Sequence, residues 1–466
     1  MPKSTPRRAF LFANGVTLNL VAMLSAAALS AGLTGCGGGA DGEPGSSPSA
    51  ASQQCAQSGN CPPSGPTTND PVAALCPASL DYGTVYTGGS GAGEFVKMQF
   101  DTSAGTYRIQ LIESPIPKAP GSIQPTRAGV TLEGTFTHPD RPLPTPAQNN
   151  CAFQLKTVTA SDGASQAIID PANPPIVFVG NGVAGGGIPG ATISFDGILG
   201  LGAIPAKTYP VYPVLAFAQT ETDFGKVAGS YNLVGYHIVP SGGSLVPDQN
   251  FAPAPRTATE TLNADGTCTG TGGAACVSTG QPWKLRALND GAFESNNDNR
   301  THRYPYFYKQ SGMNPSDQSS PAKGVLVVGK LEGKLVPLLI RVGYAIADLA
   351  TFNIVIDDES GLALLAPNVR TTNAALNGSY IGSGSDLKYV SSIIHDNIVA
   401  LLDPQDASLR PLGGFQMDLT QNTPGFVTTV DNSGQTGQLI TTGPAFAHLY
   451  GAPANPTFRV SVVASR

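Results

Sequence analysis

From residue 94 onward, short stretches in which apolar and polar residues alternate recur along the chain. Each predicts a β-strand with one face on a core. Glu94-Phe95-Val96-Lys97-Met98-Gln99-Phe100 alternates, as does Tyr107-Arg108-Ile109-Gln110-Leu111-Ile112. Gly324 to Val342 predicts a hairpin. Val325-Leu326-Val327-Val328 and Leu335 to Val342 flank Leu331-Glu332-Gly333-Lys334, where Gly333 supplies the positive φ of a tight turn. Pro337 has no amide hydrogen and belongs where the ladder needs no donor. Thr457 to Val463 alternates again and reads as a closing strand. Leu387, Val390, Ile394, Ile398 and Leu401 fall three or four apart, and Ser385 or Asp386 is placed to cap a helix there. The β-branched residues in that stretch argue for strand, so it stays open between the two.

A weak repeat overlies this pattern. Gly105-Thr106-Tyr107, Gly229-Ser230-Tyr231 and Gly378-Ser379-Tyr380 each open a predicted strand. Turns rich in Asn, Asp and Gly follow the later two, at Asn263-Ala264-Asp265-Gly266 and Asp431-Asn432-Ser433-Gly434. Units of about 120 to 150 residues follow from that spacing. Only 12% of residues are charged, while the chain holds 56 Gly and 40 Pro, which favours strands joined by turns over helices. The expected fold class is mainly β: two or three antiparallel β-sandwich or small-barrel units behind a disordered tether.

The amino terminus differs. Lys3, Arg7 and Arg8 precede a run from Ala9 to Gly35 with no charge, and its apolar centre extends from Val16 through Leu33. An apolar run of about 20 residues can also span a bilayer. Asn14, Ser25 and Ser30 dilute this one, small residues fill its end, and no basic cluster follows, so it reads as a removed leader. The run ends in Leu33-Thr34-Gly35-Cys36, which resembles the lipobox of bacterial lipoproteins. Arg7-Arg8-Ala9-Phe10-Leu11 also resembles the twin-arginine export motif, with Pro6 and Phe12 departing from it. The whole chain resembles lipoproteins of Gram-negative proteobacteria grouped as domains of unknown function. The resemblance implies cleavage before Cys36, acylation of Cys36, and anchoring in outer-membrane lipid. Gly37 after the cysteine implies outer-membrane sorting, with the body periplasmic or surface-exposed. The expected division is a signal peptide over 1–35, a lipidated tether over 36–75, and β-rich units over 76–225, 226–370 and 371–466. Residues 37 to 75 have few large apolar groups and cannot offset their ordering entropy by burial.

Setting Cys36 aside leaves Cys55, Cys61, Cys76, Cys151, Cys268 and Cys276. An even set in an exported chain reads as disulfides. Connectivity stays open, with short loops favouring Cys55–Cys61, Cys268–Cys276 and Cys76–Cys151. No CxxC occurs and no histidine stands at ligand spacing, so no metal is expected. The formal charge of −6 becomes −9 when the three leader cations are removed. Such a chain offers no basic surface to phosphates, and nucleic acid is not an expected partner.

No catalytic constellation is complete. Gly180-Asn181-Gly182-Val183-Ala184-Gly185 fits GxGxxG, but Gly186-Gly187-Ile188-Pro189-Gly190 follows and cannot propagate the helix a dinucleotide needs. It reads as a turn, and no cofactor is expected. Gly88-Gly89-Ser90-Gly91-Ala92 fails the last glycine of a nucleophile elbow. His138, His237, His302, His395 and His448 are scattered, and Asp357-Asp358-Glu359 lacks calcium-loop spacing. The segment from Trp283 to Tyr308 is the richest candidate. Trp283, Arg300, Arg303, Tyr304, Tyr306 and Tyr308 combine rings with polar groups suited to a glycan or aromatic ligand. The competing reading is a Tyr-rich core strand with Pro305 at an edge. The expectation is therefore a cell-envelope lipoprotein with a binding or structural body, more a non-enzyme than an enzyme, partnered by an envelope glycan or protein. The alternative is an envelope hydrolase of polysaccharide or ester substrates, using carboxylates such as Asp298 or Asp358.

Overall fold

The computed structural model describes residues 75–465, apart from 142, 144, 197–203, 241–250, 272–275, 277–280, 297–322, 349–352, 358–359, 405 and 407–410. The described residues are mostly antiparallel strands in three successive sheets. The first holds β1 (Tyr86–Ser90), β2 (Glu94–Asp101), β3 (Thr106–Glu113), β4 (Thr131–Thr137), a short helix α1 (Pro146–Asn150), β5 (Ala152–Leu155), β6 (Thr159–Ala160), β7 (Ile176–Gly180), β8 (Val183–Phe195) and β9 (Ile204–Phe217). The order is β3-β2-β1-β9-β8-β7-β5-β4-β6, and β3 also pairs with β4. That extra pairing joins eight strands into a ring, with β6 attached outside it. Asn181 and Gly182, both at positive φ, make a two-residue hairpin turn between β7 and β8. The Gly180–Gly185 motif is therefore a turn, as its sequel required.

The second sheet follows α2 (Phe224–Val227). It comprises β10 (Gly229–Pro240), β11 (Phe251–Leu262), β12 (Cys268–Gly270), β13 (Lys284–Leu285), β14 (Phe293–Asn296), β15 (Lys323–Leu331) and β16 (Lys334–Val342). A separate hairpin of β17 (Tyr344–Asp348) and β18 (Asn353–Asp357) leads to its last strand, β19 (Ser360–Pro367). The third sheet follows α3 (Asn373–Leu376). It runs β20 (Gly378–Gly384), β21 (Tyr389–His395), β22 (Ile398–Leu402), β23 (Pro411–Asp418), β24 (Val427–Asp431), β25 (Thr436–Thr441), β26 (Ala445–Tyr450) and β27 (Thr457–Ser465), a closed barrel in chain order. The second sheet, β12-β11-β10-β19-β16-β15-β14-β13, follows the same cyclic order, with the seam between β12 and β13 unpaired among the described residues. All three sheets are thus one eight-strand meander, closed twice and opened once. Side chains suffice to fill a closed barrel of this size.

The undecided stretch around Leu387–Leu401 is strand. It forms the β21–β22 hairpin turning at Asp396, with Val390, Ile394, Val399 and Leu401 in the barrel core. The predicted β15–β16 hairpin turns at Glu332 and Gly333, both at positive φ. Pro337 lies just outside the β19 pairing, which begins at Leu338.

Of the Gly-Ser/Thr-Tyr triplets, two occupy equivalent places. Gly229 and Gly378 open the first strand of their sheets, each after a four-residue helix capped by Asp223 or Thr372. Tyr231 donates to the Val227 carbonyl at 2.6 Å and Tyr380 to the Leu376 carbonyl at 2.7 Å. Gly105 instead precedes β3, and Tyr107 donates to the distant Thr157 carbonyl. The two Asp-Gly turns are not equivalent either: one joins β11 to β12, the other β24 to β25.

Each sheet fills its own interior. A further core lies among all three, where Phe95, Phe217 and Leu215 of the first barrel meet Val327, Ile340 and Leu364 of the middle sheet and Ile381, Phe458 and Val462 of the last barrel. The middle sheet is buried on both faces: Val325 and Val327 enter the shared core, while Leu326 and Val328 enter its own. Its strands consequently read as near-continuous apolar runs. Disulfides join Cys76 to Cys151 and Cys268 to Cys276.

Candidate functional site

The three units converge on a pocket of about 290 Å³. β9 supplies Tyr209 and Tyr212, β10 supplies Tyr236, and β27 supplies Phe458. Their aromatic faces come in two stacked pairs, Tyr209 with Tyr212 at 5.4 Å and Tyr236 with Phe458 at 6.4 Å between centroids. The turn after β20 contributes Ser385 and Asp386, and Asn455 lies before β27. Asp386 Oδ2 accepts from Arg459 Nη2 at 2.8 Å, so this carboxylate is fixed by a cation that is 1% exposed. Lys207 Nζ sits 5.3 Å from the Tyr209 ring centroid. Burial raises the phenols of Tyr236 and Tyr212, against a lowering hydrogen bond from Ser385 in the first and the Arg127 charge in the second. Both therefore stay protonated at neutral pH, and the half-buried Tyr236 offers its O–H to the cleft, whereas the Tyr212 hydroxyl is fully enclosed.

Behind Tyr212 the first barrel holds a buried ion pair. Arg127, on the loop between β3 and β4, donates from Nε to Glu94 Oε1 at 2.8 Å and from Nη2 to Oε2 at 3.0 Å. Ser90 and Ser114 hydroxyls donate to the same carboxylate, and Arg127 Nη1 donates to the Gln166 carbonyl. Ser90, the serine of the near-elbow, is thus a buried structural donor on a strand hairpin. Sequence reasoning missed this cluster, because its members are spread over residues 90 to 166 and meet only when the loop enters the barrel end.

The last barrel encloses His448, whose Nε2 lies 2.8 Å from Thr429 Oγ1. Burial first, then the Arg459 charge, pushes its pKa down to about 3. Its Nδ1, Arg459 Nε and Ser461 Oγ have no hydrogen-bond partner among the described residues. His395 and Asp396 lie 3.3 Å apart on the exposed β21–β22 turn, without a further partner group that would make a catalytic relay.

Trp283 is 3% exposed and packs with Phe293, Leu326 and Leu262 in the middle sheet's own core. Arg300, Arg303, Tyr304, Tyr306 and Tyr308 lie outside the described residues, as do Cys36, Cys55, Cys61, His302, Asp298 and Asp358. Glu260 comes within 4.8 Å of the Cys268 and Cys276 sulfurs, but their disulfide leaves no thiolate for a metal. A second cavity, about 440 Å³, lies beside the Cys76–Cys151 bridge with Phe136 and Phe153, and no carboxylate, lysine or arginine lines it.

Fold and pocket together define a β protein of three eight-strand meanders sharing one aromatic-walled cleft. The chain belongs to the family described as protein of unknown function (DUF2957), which it matches over residues 106–462, from the start of β3 into β27. No curated protein matches it.

Proposed function

We propose that this chain is a cell-envelope lipoprotein whose β body binds a small ligand in the cleft shared by its three units. The observation that carries the binding half is the pocket itself. Apolar faces from two aromatic pairs surround a pinned carboxylate, which is the composition of sites that orient a ligand rather than merely bury it. Among the described residues the pocket presents one carboxylate, Asp386, and it is already ion-paired. Leu33-Thr34-Gly35-Cys36 supports the address: acylation of Cys36, anchoring in outer-membrane lipid, and a body in the periplasm or at the surface. Several acyl chains hold a protein on a membrane where one holds it only marginally. Residues 37 to 75 then serve as the tether.

The test of the address is labelled fatty-acid incorporation in cells expressing the wild type and Cys36→Ser. The wild type takes up label and fractionates with outer membrane, while Cys36→Ser does neither. Equal labelling of both would refute the lipobox assignment.

A further inference from the structure

We infer that the shared cleft takes one neutral pyranose ring of a glycan. This rests on the binding reading above and adds the chemistry of the ligand. At about 290 Å³ the pocket sits at the small end of ligand sites, room for a single ring with the rest of a chain outside. Tyr236, half-buried and backed by Phe458, gives a flat apolar wall, which matches the C–H face of a sugar, and the buried Tyr209–Tyr212 pair stiffens the side beside it.

Among the described residues the lining carries one carboxylate, Asp386, and one ammonium, Lys207, so its charges balance and the polar groups favour hydroxyls over a net charge. Arg459 holds Asp386 Oδ2, whereas among the described residues Oδ1 accepts only from the Lys388 amide, at 3.4 Å. That oxygen is an acceptor waiting for an O–H donor. Tyr236 supplies the opposite character, a half-buried phenol that stays protonated and lines the cleft. Asn455 adds a donor and an acceptor at the rim. An acidic sugar would set its carboxylate against Asp386. A flat aromatic ligand would fill the wall but leave Asp386 Oδ1 without an O–H donor.

Saturation-transfer NMR on the full chain in a non-glycoside detergent tests this. The probes are glucose, galactose, mannose, N-acetylglucosamine, glucuronate and indole. At least one neutral sugar gives transfer, and glucuronate gives less. Asp386→Asn weakens that sugar about tenfold, the loss of one charged hydrogen bond. Asn455→Ala, at an exposed position, weakens it about threefold with unchanged melting. If Asp386→Asn does not fold, Asn455→Ala alone decides. Transfer from indole but from no sugar overturns the sugar inference and leaves the binding cleft standing. Glucuronate binding as well as neutral sugars also overturns it. Silence from every probe removes the binding reading as well.

Discussion

The first and last barrels share a strand plan and each buries an arginine paired with a carboxylate, yet the two interiors are finished differently. In the first barrel Glu94 and Arg127 are both fully buried, and four hydrogen bonds reach the carboxylate. A loop threaded into the barrel end completes them. In the last barrel Arg459 is as deeply buried, but its partner Asp386 stands at the pocket with 29% of its side chain exposed. Arg459 Nε and the neighbouring His448 Nδ1 and Ser461 Oγ stay without partners among the described residues. Eight strands in a ring thus leave the polarity of the interior undecided. The connections at the ring's ends settle it, sealing one barrel and leaving the other in contact with the shared cleft.

The sharpest way to break this comparison is to remove each arginine. Arg127→Met strands the buried Glu94 carboxylate and costs about 4 kcal/mol of unfolding free energy in urea titrations. Arg459→Met costs about half as much, because water reaches Asp386. Equal losses would mean that sealing the barrel end contributes nothing.

Histidine titration offers a smaller effect with a defined pH window. His448 is pushed from 6.5 to about 3 by burial, so between those values the unfolded chain holds the extra proton. Its contribution to stability is therefore present above pH 6.5 and is lost as pH falls toward 3, at up to about 1.4 kcal/mol per pH unit. Denaturation midpoints at pH 7 and pH 5 should converge when His448 is replaced by Gln. A wild-type-like slope in that variant would assign the acid sensitivity elsewhere.

The barrels also differ in how they are joined to their neighbours. Arg286 of the middle sheet donates to Asp290, to Glu294 and, across the junction, to Glu113 of the first barrel, each at 2.9 Å. Lys323 donates to the same Glu113 oxygen. Burial pushes the Glu113 carboxyl up, but Lys323 and Arg286 outweigh it and hold it below its ordinary value. The last barrel uses neutral contacts instead: Asn232 to the Pro424 carbonyl, Asn181 to the Val463 carbonyl, and Ser383 to the Gly186 carbonyl. Glu113→Gln should cost about 1.5 kcal/mol at pH 7. Because the folded carboxyl is depressed, that difference disappears as pH falls through and below the ordinary carboxylate range. A difference that persists at low pH would show that packing, not charge, makes the joint.

The pattern of side chains carried much of the β architecture. Alternation at Glu94–Phe100 and Tyr107–Ile112 marks β2 and β3, and Glu332-Gly333 marks a turn, because these signals are local. The helical spacing at Leu387–Leu401 left that stretch open by coincidence: the strands joined at Asp396 turn Val390, Ile394, Val399 and Leu401 inward, while Leu387 and Ile398 of the helical series stay half-buried outside that core. The cleft was not legible. Tyr212, Tyr236, Asp386 and Phe458 are widely separated in the chain and carry no common motif, so only the packing of three sheets brings them together. The aromatic cluster near Trp283 drew attention because it is contiguous, a property that binding does not require.

The unpaired seam between β12 and β13 has a consequence for the order of assembly. A ring closed by hydrogen bonds is a finished object, whereas the middle sheet has apolar residues on both faces and, among the described residues, no partner beyond β12 and β13. Its outer face is covered in part by Ile381 of β20 and by Phe458, Val460 and Val462 of β27, both downstream of β19 in sequence. Until those strands dock, that face stays bare, so the middle sheet is the part most exposed to mispairing while the molecule folds.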